Sequence, residues 1–309
     1  MPVDADIQKV LDVLNAMPSV DYAKTPPLEL ARAMRSTPVT IPPIPNPAAR
    51  VENRTIPGPH GDIPVRIYWP HGKGPCGVMV SLHGGGWVIG SLNSDEFKSH
   101  HLVHQAGCAI VSVDYRLSPE HRYPVPLDDS YAALEWTSKN ATSLGFDANR
   151  IAIGGSSAGA NLAAAVALMT RDRGGPALRF QLLTYPVCDD DFDRPSYIEN
   201  ATRLLLSREQ MKWFWDQYVD PKDRSHPYVA PIRDTKLGSL PPALVITAEF
   251  DPLRDEGEAY AQRLKEAGVP VICQRYDGMV HGFLSAAVQH PSSMAALNLS
   301  AQQLKKYIG

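Results

Sequence analysis

A chain of 309 residues with 44% hydrophobic and 20% charged residues holds enough apolar material for one large core and excludes wholesale disorder. Its formal net charge of −3, with no cluster of Lys and Arg, excludes a nucleic-acid or anionic-membrane surface as the expected partner. Four scattered cysteines, Cys76, Cys108, Cys188 and Cys273, form no C-x-x-C pair and read as reduced thiols, not as zinc or redox ligands.

The first ten residues, MPVDADIQKV, are acidic and lack the basic-then-apolar profile of a signal peptide. No stretch reaches the ~20 apolar residues that span a bilayer. A cytoplasmic protein without membrane association is therefore expected. Ile7, Val10, Leu11 and Leu14 line one face of a first helix, and a second short helix is expected over 28–34. PVTIPPIPNP at 38–47 is too proline-rich for a helix and reads as an extended connector. Strand-like 51–56 and 63–68 flank the turn-rich PGPHGD, which predicts a hairpin.

Beyond it, short apolar runs at 78–82, 109–113, 151–153, 182–185, 244–247 and 271–276 alternate with helical patterns at 127–139, 158–169 and 256–267. Runs this apolar suit parallel strands covered on both faces. The alternation predicts an α/β fold: a mostly parallel, doubly wound sheet with helices on both faces. One stretch, about 188–228, breaks the alternation. It holds DDDFD, then SREQMKWFWDQY, where Ser207 and Gln210 have capping-box spacing and Met211, Phe214, Trp215 and Tyr218 share a face. Longer than an ordinary connection, it predicts a helical cap insertion in a domain spanning 51–309, with residues 1–50 supplying the rest of the cap and a connector.

Gly155-Ser156-Ser157-Ala158-Gly159 matches G-x-S-x-G, with an apolar strand before it and a small-residue helix after it. A serine on so sharp a strand-to-helix turn needs glycine two residues to either side, because side chains there would collide. Ser156 occupies the x position. Ser157 has both glycines at the right offsets and is the candidate nucleophile. His83-Gly84-Gly85-Gly86-Trp87 follows a second apolar run. Three glycines let backbone N–H groups approach a ligand closely. Two of Gly84, Gly85 and Gly86, with the N–H of Ala158, would form an oxyanion hole, where single donors have been worth about 10²–10³ in rate. The loop lacks the G-K-[ST] ending of a P-loop and the spacing of a dinucleotide site. His83 reads as a brace for the loop.

In this kind of fold the chain order is Ser, acid, His. Asp251 ends the run ALVITAEF, where a parallel strand delivers a side chain to the active edge. Glu249, Asp255 and Glu256 are fallbacks that otherwise read as caps or surface charges. His281 sits in the loop after the last strand, whereas His290 reads as surface. The chemistry would be acyl transfer: His281 takes the Ser157 proton and Asp251 orients the imidazole. No cofactor and no metal are needed. His100, His101 and His104 have helical spacing but no supporting metal motif, and read as a solvated helix face.

Together HGGGW (83–87), DYRLSPEHRYP (114–124), GSSAGANL (155–162), DPLRDEG (251–257) and HGF (281–283) resemble the bacterial hormone-sensitive-lipase-like esterases, over the chain from about residue 50 to its end. Members often carry GDSAGG where this chain has Ser156 and Ala160; neither is the nucleophile or a required glycine. The resemblance implies an α/β-hydrolase core with a helical cap, cleavage of short- to medium-chain acyl esters by Ser157, Asp251 and His281, and a possible homodimer. Arg116 and Glu120 read as a structural charge pair. Trp87, Leu205 and Phe283 are expected to shape the substrate pocket. An amidase or acyltransferase with the same triad would share these motifs. A non-catalytic binding protein on this fold would lack the histidine that is present here as His281.

Overall fold

The computed structural model describes residues 2–16, 20–22, 24–72, 74–202 and 205–309. Among the described residues eight strands are formed: β1 Arg50–Ile56, β2 Ile63–Trp69, β3 Cys76–Leu82, β4 Ala109–Val113, β5 Phe146–Ser156, β6 Leu178–Thr184, β7 Ala243–Phe250 and β8 Val271–Val280. They make one sheet in the order β1-β2-β4-β3-β5-β6-β7-β8. The expected hairpin is β1–β2, and β2 runs antiparallel to β4 as well. From β4 to β8 every pairing is parallel.

The helices are α1 Ala5–Asn15, α2 Pro27–Arg35, α3 Glu96–Ala106, α4 Val125–Lys139, α5 Ala141–Leu144, α6 Ala158–Arg173, α7 Pro195–Glu199, α8 Arg208–Tyr218, α9 Arg254–Glu266, α10 Phe283–Ala286 and α11 Pro291–Ile308. They cover both faces of the sheet. Successive strand residues point to opposite faces, so Val78, Val80, Leu82, Ile151 and Ile153 join one core with Leu134, Leu162, Phe214 and Leu264 of α4, α6, α8 and α9. Met79, Ile110 and Ala152 join the other core with Leu102 of α3, Leu297 of α11 and Ile7 and Leu11 of α1. No described helix is long and apolar enough to cross a membrane.

Neighbours β4 and β5 lie on opposite sides of β3, so successive crossovers leave in opposite directions and a crevice opens at the carboxyl ends of β3 and β5. The N-terminal segment and the stretch 188–228 meet beside it. The rings of Tyr22 and Trp213 lie 5.7 Å apart, and Arg35 of α2 donates to the carbonyls of Val88 and Ser118. Within that stretch, Ser207 Oγ accepts the N–H of Gln210 at 3.1 Å and starts α8.

Three expectations fail on polar residues. Arg116 does not pair with Glu120: its guanidinium grips the fully buried Asp129 at 2.7 and 2.8 Å, while Glu120 takes Arg35 at 2.8 Å. The solvated histidine face on α3 is instead partly inside. His100 is buried, accepting the Ala48 N–H at 2.8 Å and meeting Glu96, because α3 packs on β2 and β4 with α11 beside it. His290 is not a surface residue. It caps α11 by accepting the Ser292 N–H, and its Nε2 lies 3.2 Å from Asp4.

Candidate active site

Ser157 stands between β5 and α6 with φ 55° and ψ −120°, a left-handed geometry that costs a non-glycine residue on the order of 1–3 kcal/mol. Its neighbours impose it. The Ser157 N–H donates to the Thr184 carbonyl at 2.9 Å, and the Asn161 N–H donates to the Ser157 carbonyl at 3.0 Å. The flanking glycines are needed for close approach: a Cβ on Gly159 would drive into the carbonyls of Leu82 and His83, and one on Gly155 into Gly159.

The two partners come from the ends of two later strands. Asp251 follows β7 and is fully buried. Its Oδ1 accepts the Leu253 N–H at 2.8 Å, and its Oδ2 lies 2.8 Å from His281 Nδ1. His281 follows β8, and its Nε2 lies 3.0 Å from Ser157 Oγ. With the Nδ1 proton on the Asp251 side, neutral imidazole presents a bare Nε2 to the serine hydroxyl. The ring of Tyr185 packs 4.7 Å from that of His281.

The glycine loop leaves β3 beside this group. A Cβ on Gly84 would sit 3.5 Å from Ser157 Cβ. Gly86 has φ 59°, and the ring of Phe214 occupies the space a side chain there would need. Among the described residues, the N–H groups of Gly84, Gly85, Gly86 and Ala158 donate to no carbonyl, which leaves them for a ligand. His83 braces the loop: its Nδ1 lies 2.8 Å from the Gly84 oxygen and its ring stacks 4.3 Å over Tyr115. Complete burial holds its pKa below the usual histidine value, so it stays neutral.

Ser157 and His281 open into a cavity of about 340 Å³ lined by Gly84, Gly85, Gly86, Leu206, Met211 and Phe214. A second chamber of about 780 Å³ shares His281, Leu205 and Val39 and is lined by Val10, Val13 and Leu14 of α1. Leu205 lines both cavities. Trp87 and Phe283 do not. Trp87 is fully buried, stacked 4.2 Å on Tyr218 and edge-on to Trp215. Phe283 is fully buried between Tyr185 and Tyr276. Both rings turn into the core, because a large apolar ring gains more from complete burial than from lining a hydrated cleft.

The fallback acids serve elsewhere. Glu249 accepts the Gly278 N–H, Asp255 accepts the Ser196 N–H, and Glu256, fully buried, accepts the Cys188 N–H. Missing from the sequence reading were Tyr185, Val39, Leu206 and the α1 side chains. Met211 and Phe214 were legible as one face of α8, but periodicity does not say what that face meets.

A sequence profile of the α/β-hydrolase fold family matches residues 79–285. The chain is 42% identical to carboxylesterase NlhH of Mycobacterium tuberculosis, across 97% of this chain and 96% of that one. It is 34% identical to an arylesterase of Saccharolobus solfataricus, across 93% and 94%. The crystal structure of a thermostable esterase from Pseudomonas putida superposes with a TM-score of 0.92 at 38% identity, covering 100% of this chain and 98% of that one.

Proposed function

The chain belongs to the α/β-hydrolase fold family, among its hormone-sensitive-lipase-like esterases, and from that membership we propose that Ser157, His281 and Asp251 cleave short- to medium-chain carboxylic esters. The protein is a carboxylic-ester hydrolase acting on small ester substrates. Neutral His281 accepts the proton of Ser157 at Nε2 as Oγ attacks the ester carbonyl. The oxyanion that forms is met by the free N–H groups of the Gly84–Gly86 loop and of Ala158. Asp251 stabilises the imidazolium, which then protonates the departing alcohol. Water repeats the cycle on the acyl-enzyme, with His281 again as base.

The observation that carries this reading is the unbroken Asp251–His281–Ser157 contact chain, 2.8 and 3.0 Å long, opening into an apolar cavity. Ser157→Ala is expected to abolish turnover of a short p-nitrophenyl ester while far-UV circular dichroism stays unchanged. Turnover at the wild-type rate in that variant would overturn the assignment.

The same reading makes residues 1–50 and the 188–228 insertion a cap, supported by Val10 and Leu14 on one chamber and Met211 and Phe214 on the other. The 340 Å³ cavity, with Met211 and Phe214 in its wall, favours short acyl groups. Four free thiols support a cytoplasmic location. A homodimer through the β8 edge is part of the proposal. The β1 edge carries three charges, Arg50, Glu52 and Arg54, beside Val51 at 41% exposure, and β8 carries two, Arg275 and Asp277, beside Ile272 at 40%, so β8 is the less charged edge and discourages strand pairing less.

A further inference from the structure

Past Trp87 the glycine-loop segment runs through a single turn, Leu92–Asp95, into α3, and from there two charged side chains return to the nucleophile turn. Lys98 Nζ lies 2.7 Å from Asp95 Oδ2 and donates to Ser156 Oγ at 2.8 Å. All three residues are nearly closed to solvent, with Asp95 5%, Lys98 8% and Ser156 4% exposed. A buried ion pair returns little net stability, since desolvating two charges offsets their attraction. What it supplies is geometry: a short, charge-assisted donor of fixed direction.

Ser156 sits between the nucleophile, the glycine loop and Tyr185. It is peptide-bonded to Ser157, and its carbonyl oxygen would lie 3.0 Å from a Cβ on Gly84. Its hydroxyl faces that of Tyr185, whose ring packs on His281. An ammonium paired with a carboxylate has no lone pair to take a proton, so this is not a lysine base activating a second nucleophile. Lys98 acts here as a donor.

Resting on the triad reading above, we propose that Lys98, held by Asp95, is a positioning residue. It clamps Ser156 and thereby fixes the nucleophile turn in register with the Gly84–Gly86 loop. The clamp works because one segment delivers both the loop and the lysine, so the Lys98–Ser156 bond closes the ring between them.

The test is steady-state kinetics on a short p-nitrophenyl ester with Lys98→Met, Lys98→Arg, Ser156→Ala and the Lys98→Met/Ser156→Ala double variant, beside Ser157→Ala. A misplaced reacting group costs up to about a hundredfold, so Lys98→Met and Ser156→Ala should each lower kcat by about tenfold to a hundredfold with KM within about twofold. Lys98→Arg should recover part of the loss. The double variant should be no worse than the poorer single variant, because both remove one contact. Lys98 also borders the outer chamber, so a loss confined to KM would mean substrate binding and overturn the proposal. A kcat for Ser156→Ala equal to wild type would overturn it too, even if Lys98→Met fails to fold. So would losses that multiply in the double variant. Turnover by Ser157→Ala would instead sink the triad reading on which the proposal rests.

Discussion

Glu256 shows how little a residue's type says about its state. It is fully buried, with one carboxyl oxygen accepting the Cys188 N–H at 2.8 Å and the other without a partner among the described residues. Burial pushes its pKa well above the ordinary 4.5, more than the nearby Arg194 can offset. The folded state therefore prefers the acid form. Once pH passes 4.5 the unfolded chain releases the proton and the folded chain does not, so stability falls as pH rises toward the folded value. Glu256→Gln keeps the accepted bond and removes that dependence. Its melting temperature should exceed wild type by about 2 °C or more at neutral pH, with the gain vanishing at pH 4 in the same scan. An equal gain at both pH values would refute the account.

At the scale of elements, α8 links secondary structure to specificity. Ser207 caps it, Trp215 and Tyr218 bury its inner side, and Met211 and Phe214 reach the cavity. The Phe214 ring also fills the space beside Gly86, so it bounds the inner cavity, where the proposal puts the acyl group. Phe214→Ala should raise kcat/KM for eight-carbon over two-carbon acyl esters by about tenfold, the usual worth of an apolar contact or two. Its cost in stability should be about 3–5 kcal/mol, as for a large core truncation. An unchanged chain-length profile would place the acyl group in the outer chamber.

At the scale of the whole molecule, one sheet holds the site together. Loops after β3, β5, β7 and β8 bring the amides, the serine, the aspartate and the histidine to one edge. The same sheet ends in β1 with three charges and β8 with two, and the proposed dimer would pair through the latter. Ile272→Lys should convert a dimer to single chains in a sedimentation experiment while leaving most activity, because Ile272 lies far along β8 from His281. A wild-type protein sedimenting as one chain at micromolar concentration would remove the dimer.

Local sterics wrote much of this protein into its sequence. Glycines at 155 and 159 admit one turn for Ser157, three glycines after β3 admit one kind of loop, and apolar runs of strand length order the sheet. What the sequence left open was the choice among partners. Arg116 could reach Glu120 four residues on, yet it takes Asp129 on α4. Trp87 and Phe283 stand beside motif residues, yet they face the core. Lys98 belongs to no motif, yet it meets Ser156, 58 residues away. A motif constrains backbone within a few residues, whereas these pairings depend on where α3, α4 and α8 come to rest on the sheet, and only the packed structure sets that.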